Sequence, residues 1–365
     1  MSLPLKGLRV LDLSRVLAGP VAAMVLGDLG ADVIKVERTG TGDDTRGWGP
    51  PFDDRGQSAY FLCCNRNKLS VAADFAVAAD QDFLRTLIAG ADVVIENFRP
   101  ATLAAFGLDP LTLLEAHPRL VWCTISGFGP LSDRPGYDFV VQAESGWMAI
   151  TGEPMGEPMK TGVALADVIA GRDTAIAILA TLVGGRSGAA SARQLHVSLQ
   201  HSAISALVNV AQNALVTTAE APRWGNAHPN LVPYELFDTG DKPIVIAVGT
   251  DTQFAALVEA LDIPALKEAR FATNAGRLAN RDAVTGTIRL RLITADSEEW
   301  MGRLRDAGVP CGVVRSVLEA LEDVAGSELT GVAPQAPGTV RRVPPTLNQH
   351  GVLLRSQGWA GVAQA

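Results

Sequence analysis

The chain has 365 residues, 47% of them apolar and 19% charged, with a formal net charge of −8. This length supports a sizeable core and two domains, and the composition excludes a disordered or collagen-like chain. The acidic balance argues against nucleic acid or an anionic membrane surface as a general partner, and no apolar run reaches the roughly 18 residues of a membrane span.

The start, Met1-Ser2-Leu3-Pro4-Leu5-Lys6, lacks the apolar centre of a secretory signal. Four cysteines, two of them adjacent at Cys63 and Cys64, fit neither a disulfide framework nor a zinc site. A cytoplasmic protein with reduced thiols is expected.

In chain order, the first 125 residues alternate short apolar runs with helical stretches. Leu8 to Leu13 reads as a buried strand, Pro20 to Leu29 as a helix opened by proline, and Asp32 to Glu37 as the next strand. Asp82 to Ala89 reads as helix, Asp92 to Glu96 as strand, Pro110 to Ala116 as helix and Leu120 to Ile125 as strand. Such alternation predicts a mostly parallel sheet covered on both faces, with ligands beyond the carboxyl ends of its strands. The segments to watch are therefore 14–20, 37–49, 97–100 and 126–138.

A long helix is expected over Val168 to Val183, ended by Gly184-Gly185, then a strand near Arg193 to Ser198 and one helix over His201 to Val216. After a connector marked by proline and glycine (Pro222 to Pro233) come a strand, Ile244 to Val248, and helices near 251–261, 281–293 and 297–307. Val309 to Val314 leads out of this smaller domain. Pro344-Pro345-Thr346 belongs to an irregular tail packed on the first domain.

Asp167 is a single acid in the apolar stretch Val163 to Gly171. Aspartate is a preferred helix N-cap, and a helix follows directly. A carboxylate held at a helix start also suits a nucleophile that forms a covalent acyl intermediate. Arg38 directly follows the second strand, where an arginine accommodates a ribose phosphate or forms a solvated strand-end ion pair. The first strand-to-helix turn, Ser14 to Pro20, is not G-x-G-x-x-G, which argues against a nicotinamide-dependent dehydrogenase. Its small Ala18 and Gly19 let a ligand approach the backbone. The segments Gly42-Asp43-Asp44-Thr45-Arg46-Gly47-Trp48, Asn65-Arg66-Asn67-Lys68 and Asn97-Phe98-Arg99-Pro100, three basic clusters near the strand ends of one sheet, together suggest phosphate binding. The five histidines show no metal-ligand spacing, so no metal is expected, and no G-x-S-x-G elbow is present.

Taken together, the segments GLRVLDLSRVLAGP (7–20), LGADVIKVER (29–38), GDDTRGW (42–48), NRNK (65–68), ADVVIENFRP (91–100), the Asp167 stretch, GNAHPNLVPYELF (225–237), GVPCG (308–312) and PPTLNQH (344–350) resemble the family III CoA transferases. That family also contains the α-methylacyl-CoA racemases. The resemblance implies an α/β fold: a Rossmann-like parallel sheet in a large CoA-binding domain built from both chain ends (1–215 and 325–365), a smaller α+β domain (230–315), linkers at 216–229 and 316–324, and an interlocked homodimer.

It further implies that Asp167 is the catalytic aspartate and that Val16, Leu17, Ala18, Arg38, Lys68, Asn97, Phe98 and Tyr137 contact CoA. Arg38 and Lys68 would meet its phosphates. Arg99 would add to them, because a further arginine of the formyl-CoA branch falls near Ala105 here. The implied activity moves CoA from an acyl-CoA, succinyl-CoA as the family-level donor, to a free carboxylic acid through an aspartyl–acyl anhydride and an aspartyl-CoA thioester. CoA enters as substrate, with no permanently bound cofactor. The glycine-rich loop of the formyl-CoA branch is absent between Pro233 and Gln253. The alternative is a racemase, which needs a histidine before an aspartate near 136–138. Gly136-Tyr137-Asp138 offers tyrosine there, a much weaker base near neutral pH.

Overall fold

The computed structural model describes residues 3–186 and 188–365; Met1, Ser2 and Ser187, which the expected domain 1–215 includes, lie outside the described residues. The chain divides into two compact units. The first comprises Met1–Met148, Lys160–Ala219 and Val324–Ala365, and the second Ala149–Met159 and Glu220–Asp323.

The first unit is built on six parallel strands: β1 (Arg9–Asp12), β2 (Asp32–Glu37), β3 (Lys68–Ala72), β4 (Val93–Glu96), β5 (Val121–Ser126) and β6 (Gln194–Ser198). Their order is β3-β2-β1-β4-β5-β6. The sheet therefore grows in opposite directions from β1 and β4, and the loops leaving these two strands flank the crevice where such sheets bind ligands.

Successive residues of β1 face opposite layers. Val10 joins Val33, Val93 and Val121 in one core, and Leu11 joins Ile34, Leu69 and Val94 in the other. Burial of both faces explains why these strands read as continuous apolar runs. The first layer holds helix α1 (Ala18–Asp28) against α2 (Leu165–Val183). Their contact is made of small residues. A Cβ on Gly171 would sit 2.6 Å from the Ala18 carbonyl oxygen, so the two backbones meet one turn beyond Asp167.

Two expectations need correction here. The basic cluster Asn65-Arg66-Asn67-Lys68 is not open to a phosphate, since all four residues are buried and Lys68 opens strand β3. Arg66 pairs with Asp28 at 2.7 Å, and Asn67 Nδ2 donates to the same carboxylate at 2.7 Å. The expected helix His201 to Val216 is two helices, Leu199–Ser205 and Val208–Thr217. Strand β3 lies at the sheet edge, and the chain's end covers it. His350 N–H donates to the Ser70 carbonyl, and Ala72 N–H to Asn348 Oδ1. Pairing the edge removes open backbone groups from solvent.

The second unit has an antiparallel sheet of β7 (Tyr234–Phe237), β8 (Ile244–Ala247) and β9 (Cys311–Val313). Helices Asp251–Ala260, Arg281–Leu292 and Ser297–Asp306 bury Phe254, Ile288 and Trp300 in its core. Residues 149–159, which the expected boundaries put in the large domain, belong to this unit. Arg223 donates to the Glu153 and Gly156 carbonyls and holds them there.

Candidate active site

The loop after β1 is held residue by residue. Ser14 N–H donates to Asp12 Oδ1 at 3.0 Å. Arg15 is clamped by the Asn97 amide, which accepts from Arg15 N–H at 2.9 Å and donates to its carbonyl at 2.8 Å. Val16 N–H donates to Asp43, 3.3 Å from each carboxylate oxygen.

Behind this loop lies a layer of buried charge. Lys35 Nζ pairs with Asp43 at 3.0 Å and donates to the Ser14 carbonyl at 2.9 Å. Lys68 Nζ donates to Asp12 at 2.9 Å, to the Pro20 carbonyl at 2.8 Å and to Asn65 Oδ1 at 2.9 Å. Burial alone would raise the Asp12 and Asp43 carboxyls, but the adjacent lysines outweigh it. Asp12 is held below the usual range and Asp43 at about 2.

A pocket of about 290 Å³ opens over this loop and the carboxyl ends of β4 and β5. Eight of the ten residues expected at the site line it: Val16, Leu17, Ala18, Asn97, Phe98, Arg99, Tyr137 and Asp167. Arg38 and Lys68 do not. Arg38 is half-exposed at the end of β2, 3.6 Å from Asp44, itself a lining residue. Lys68 is fully buried with all three ammonium protons donated inside the fold. The expectation that it meets a phosphate is therefore corrected: it is a structural cation beneath the loop.

Asp167 is the third residue of α2. The helix starts at Leu165, not Val168, and its N-cap is Ala164, which supplies no side-chain hydrogen bond, so Asp167 is not the cap. The capping acceptor comes from Asp138, whose Oδ2 accepts from Ala166 N–H at 2.8 Å and Asp167 N–H at 3.2 Å. Gln142 Nε2 fixes the other Asp138 oxygen at 2.5 Å.

Among the described residues no group donates to the Asp167 carboxylate. Burial, and then the negative Asp138 beside it, push its carboxyl up to about 7. Tyr60 packs against the buried cluster of Leu17, Val21 and Cys64. Burial and then the Asp167 charge push its phenol up to about 12, so it stays neutral beside the carboxylate.

Sequence reasoning missed several lining or supporting groups. Arg15, Asp44, Ser126 and Arg134 line the pocket. Gly127 and Gly136 cross so closely that a Cβ on Gly127 would lie 2.4 Å from Gly136 Cα, which fixes the loop carrying Arg134 and Tyr137. Only their position in the segments that follow the strands, 14–20, 37–49 and 126–138, hinted at a role.

A doubly wound sheet, a pocket at its switch point with several arginines on the rim, and a half-buried carboxylate in its lining define a protein built to hold an anionic, nucleotide-like ligand against a nucleophile or base. The family model for CoA-transferase family III matches residues 5–350. The chain is 42% identical over 330 residues to the succinate–glutarate CoA-transferase of Agrobacterium fabrum, spanning 88% of this chain and 82% of that one. It is 40% identical over 318 residues to the human succinyl-CoA:glutarate CoA-transferase, spanning 86% of this chain and 72% of that one. The crystal structure of a CAIB/BAIF family protein from Brucella suis superposes with a TM-score of 0.85 at 39% identity, covering 98% of this chain and 99% of that one. The chain belongs to CoA-transferase family III and is a CoA-transferase.

Proposed function

We propose that the protein carries CoA from succinyl-CoA to a small dicarboxylic acid of the glutarate class, with Asp167 as the covalent nucleophile. The observation that carries this reading is the Asp167 carboxylate itself. It lines the pocket, accepts no hydrogen bond from the described residues, sits at a helix start and is raised to about 7. A carboxylate with few hydrogen-bond donors around it is more nucleophilic than a fully solvated one. The donor and acceptor classes rest on the names of the relatives.

An Asp167 oxygen attacks the thioester carbonyl, the carbon–sulfur bond breaks, and an aspartyl–acyl anhydride and CoA thiolate result. The thiolate attacks the aspartyl carbonyl, releases the donor acid and leaves an aspartyl-CoA thioester. The acceptor carboxylate attacks that thioester, the carbon–sulfur bond breaks to give an aspartyl–acceptor anhydride and CoA thiolate, and the thiolate then attacks the acceptor carbonyl, forming the new thioester and freeing the Asp167 carboxylate. Each step exchanges one activated acyl group for another, so no ATP enters.

Val16, Leu17 and Ala18, Asn97, Phe98, Arg99 and Tyr137 hold the CoA chain, with Arg38 at its phosphate end. CoA is a substrate in this scheme, with no permanently bound cofactor. The racemase alternative is less well supported, because Asp138 is committed to the helix start and Tyr137 stands where a second base would be.

The protein is assigned to the cytoplasm as a homodimer. Four free thiols support the compartment, and the exposed apolar side chains of Val208, Leu215 and Val216 support self-association. No helix among the described residues is long and apolar enough to cross a membrane.

The test incubates the protein with succinyl-CoA and glutarate, adipate or oxalate and reads new thioesters by mass spectrometry. A dicarboxyl-CoA made by the wild type and not by Asp167→Ala supports the reading. No exchange across these acids, with α-proton exchange on a branched acyl-CoA instead, would replace it with the racemase.

A further inference from the structure

Val16 has a φ of 72°. The left-handed region is a genuine outlier for a β-branched side chain, and such strain persists only where neighbours over-determine it. The neighbour here is Asp43, from the GDDTRGW segment to which the transfer chemistry gives no task. Its Oδ1 accepts from Thr45 N–H at 3.0 Å and Thr45 Oγ1 at 2.8 Å, its Oδ2 pairs with Lys35 at 3.0 Å, and both oxygens lie 3.3 Å from Val16 N–H. Asp43 is itself pinned, since its N–H donates to Glu37 Oε2 at 3.1 Å. Immediately after the strained residue come Leu17 and Ala18. Both line the pocket, and among the described residues no acceptor takes either N–H. Ala18 opens an 11-residue helix, whose positive end adds to the pull of these amides on an anion.

We propose that Asp43 is a positioning residue for the transfer reaction: by holding Val16 N–H it keeps the strained turn that leaves the Leu17 and Ala18 amides free for the oxyanion formed when Asp167 attacks the thioester. This rests on the transferase reading above and adds to it the source of the oxyanion donors and the group that aims them. The chemistry fits, because donors fixed before the reaction stabilise charge that appears only in the transition state. Asp43 therefore acts on kcat through the backbone at Val16 without touching substrate.

Glycine adopts a positive φ freely, so a glycine at 16 would reach the turn without help from Asp43. Proline fixes φ near −65° and removes the N–H. Steady-state kinetics with succinyl-CoA and the best acceptor are compared for wild type, Asp43→Asn, the double variant Asp43→Asn with Val16→Gly, and Val16→Pro. The left-handed penalty for a non-glycine residue sets the scale, so Asp43→Asn should lower kcat about tenfold and the added Val16→Gly should restore most of it. KM for succinyl-CoA should stay within roughly threefold in Asp43→Asn, since an interaction made only in the transition state is removed. Val16→Pro, which leaves the Asp43–Lys35 pair intact, should lose kcat at least as far as Asp43→Asn, and it decides the matter if Asp43→Asn does not fold.

Unchanged kcat in Asp43→Asn or in Val16→Pro overturns the proposal, as does a double variant no faster than Asp43→Asn. A wild type that transfers no CoA, or an Asp167→Ala that still does, would instead sink the transferase reading.

Discussion

Replacing Asp167 by Asn should make the protein more stable in alkaline solution while abolishing turnover. The carboxyl is raised to about 7 from an ordinary value of 3.8, by burial first and by Asp138 second. A folded-state value above the unfolded one means that ionisation disfavours the fold. The cost is absent below about pH 4, grows between pH 4 and 7, and is complete above pH 7. About three pKa units at 1.36 kcal/mol each give an upper value of roughly 4 kcal/mol. Asp167 lines an open pocket, so partial solvation brings the expected difference to about 2–4 kcal/mol.

Asparagine keeps the shape and drops the charge. Urea unfolding of wild type and Asp167→Asn, followed by tryptophan fluorescence at matched protein concentration, should therefore coincide near pH 4 and diverge above pH 7, with the variant the more stable. Curves that stay parallel from pH 4 to 9 would refute the argument, because they would mean that the carboxylate is as well solvated folded as unfolded.

Asp138→Asn keeps an oxygen for the helix start but removes the like charge, so the pH midpoint of kcat/KM should fall below that of the wild type, with about 0.5–1 kcal/mol of stability lost to the weaker cap. An unmoved midpoint in the rate profile would exclude Asp138 as a cause of the raised value. Lys68→Met leaves Asp12 short of a partner in the interior and should cost about 3–5 kcal/mol of stability, while CoA titration of the folded variant stays near the wild-type affinity. A selective loss of CoA binding without destabilisation would return Lys68 to the phosphates. Arg38→Ala should weaken CoA binding by roughly 1–3 kcal/mol with kcat nearly unchanged, as measured by calorimetry and kinetics.

The sheet was legible wherever burial on both faces left a mostly apolar run, as in LRVLDL and DVVIE. Strand β3 was not, because KLSVA opens with a lysine and follows Asn-Arg-Asn. Buried charge looks like surface in a sequence when its partners, here Asp12 and Asp28, come from distant segments. The same reason hides the start of α2. Asp167 resembles a local N-cap, but the capping carboxylate is Asp138, 29 residues earlier in the chain. The break near Ala206 between two helices carries no glycine or proline to announce it. The pocket was largely readable, since loops after β1, β4 and β5 must converge at the switch point. The crossing of Gly127 and Gly136, which fixes Arg134 and Tyr137, depends on tertiary contact alone.

The covalent role of Asp167 is tested most directly by trapping. The protein is incubated with succinyl-CoA and no acceptor, treated with hydroxylamine, digested and analysed by mass spectrometry. Either proposed intermediate, the anhydride or the aspartyl-CoA thioester, makes Asp167 an activated acyl group, so its peptide should carry a hydroxamate that forms only with succinyl-CoA present and is missing in Asp167→Asn. An unmodified Asp167 peptide from protein that still transfers CoA, or a hydroxamate on another carboxylate, would contradict the mechanism.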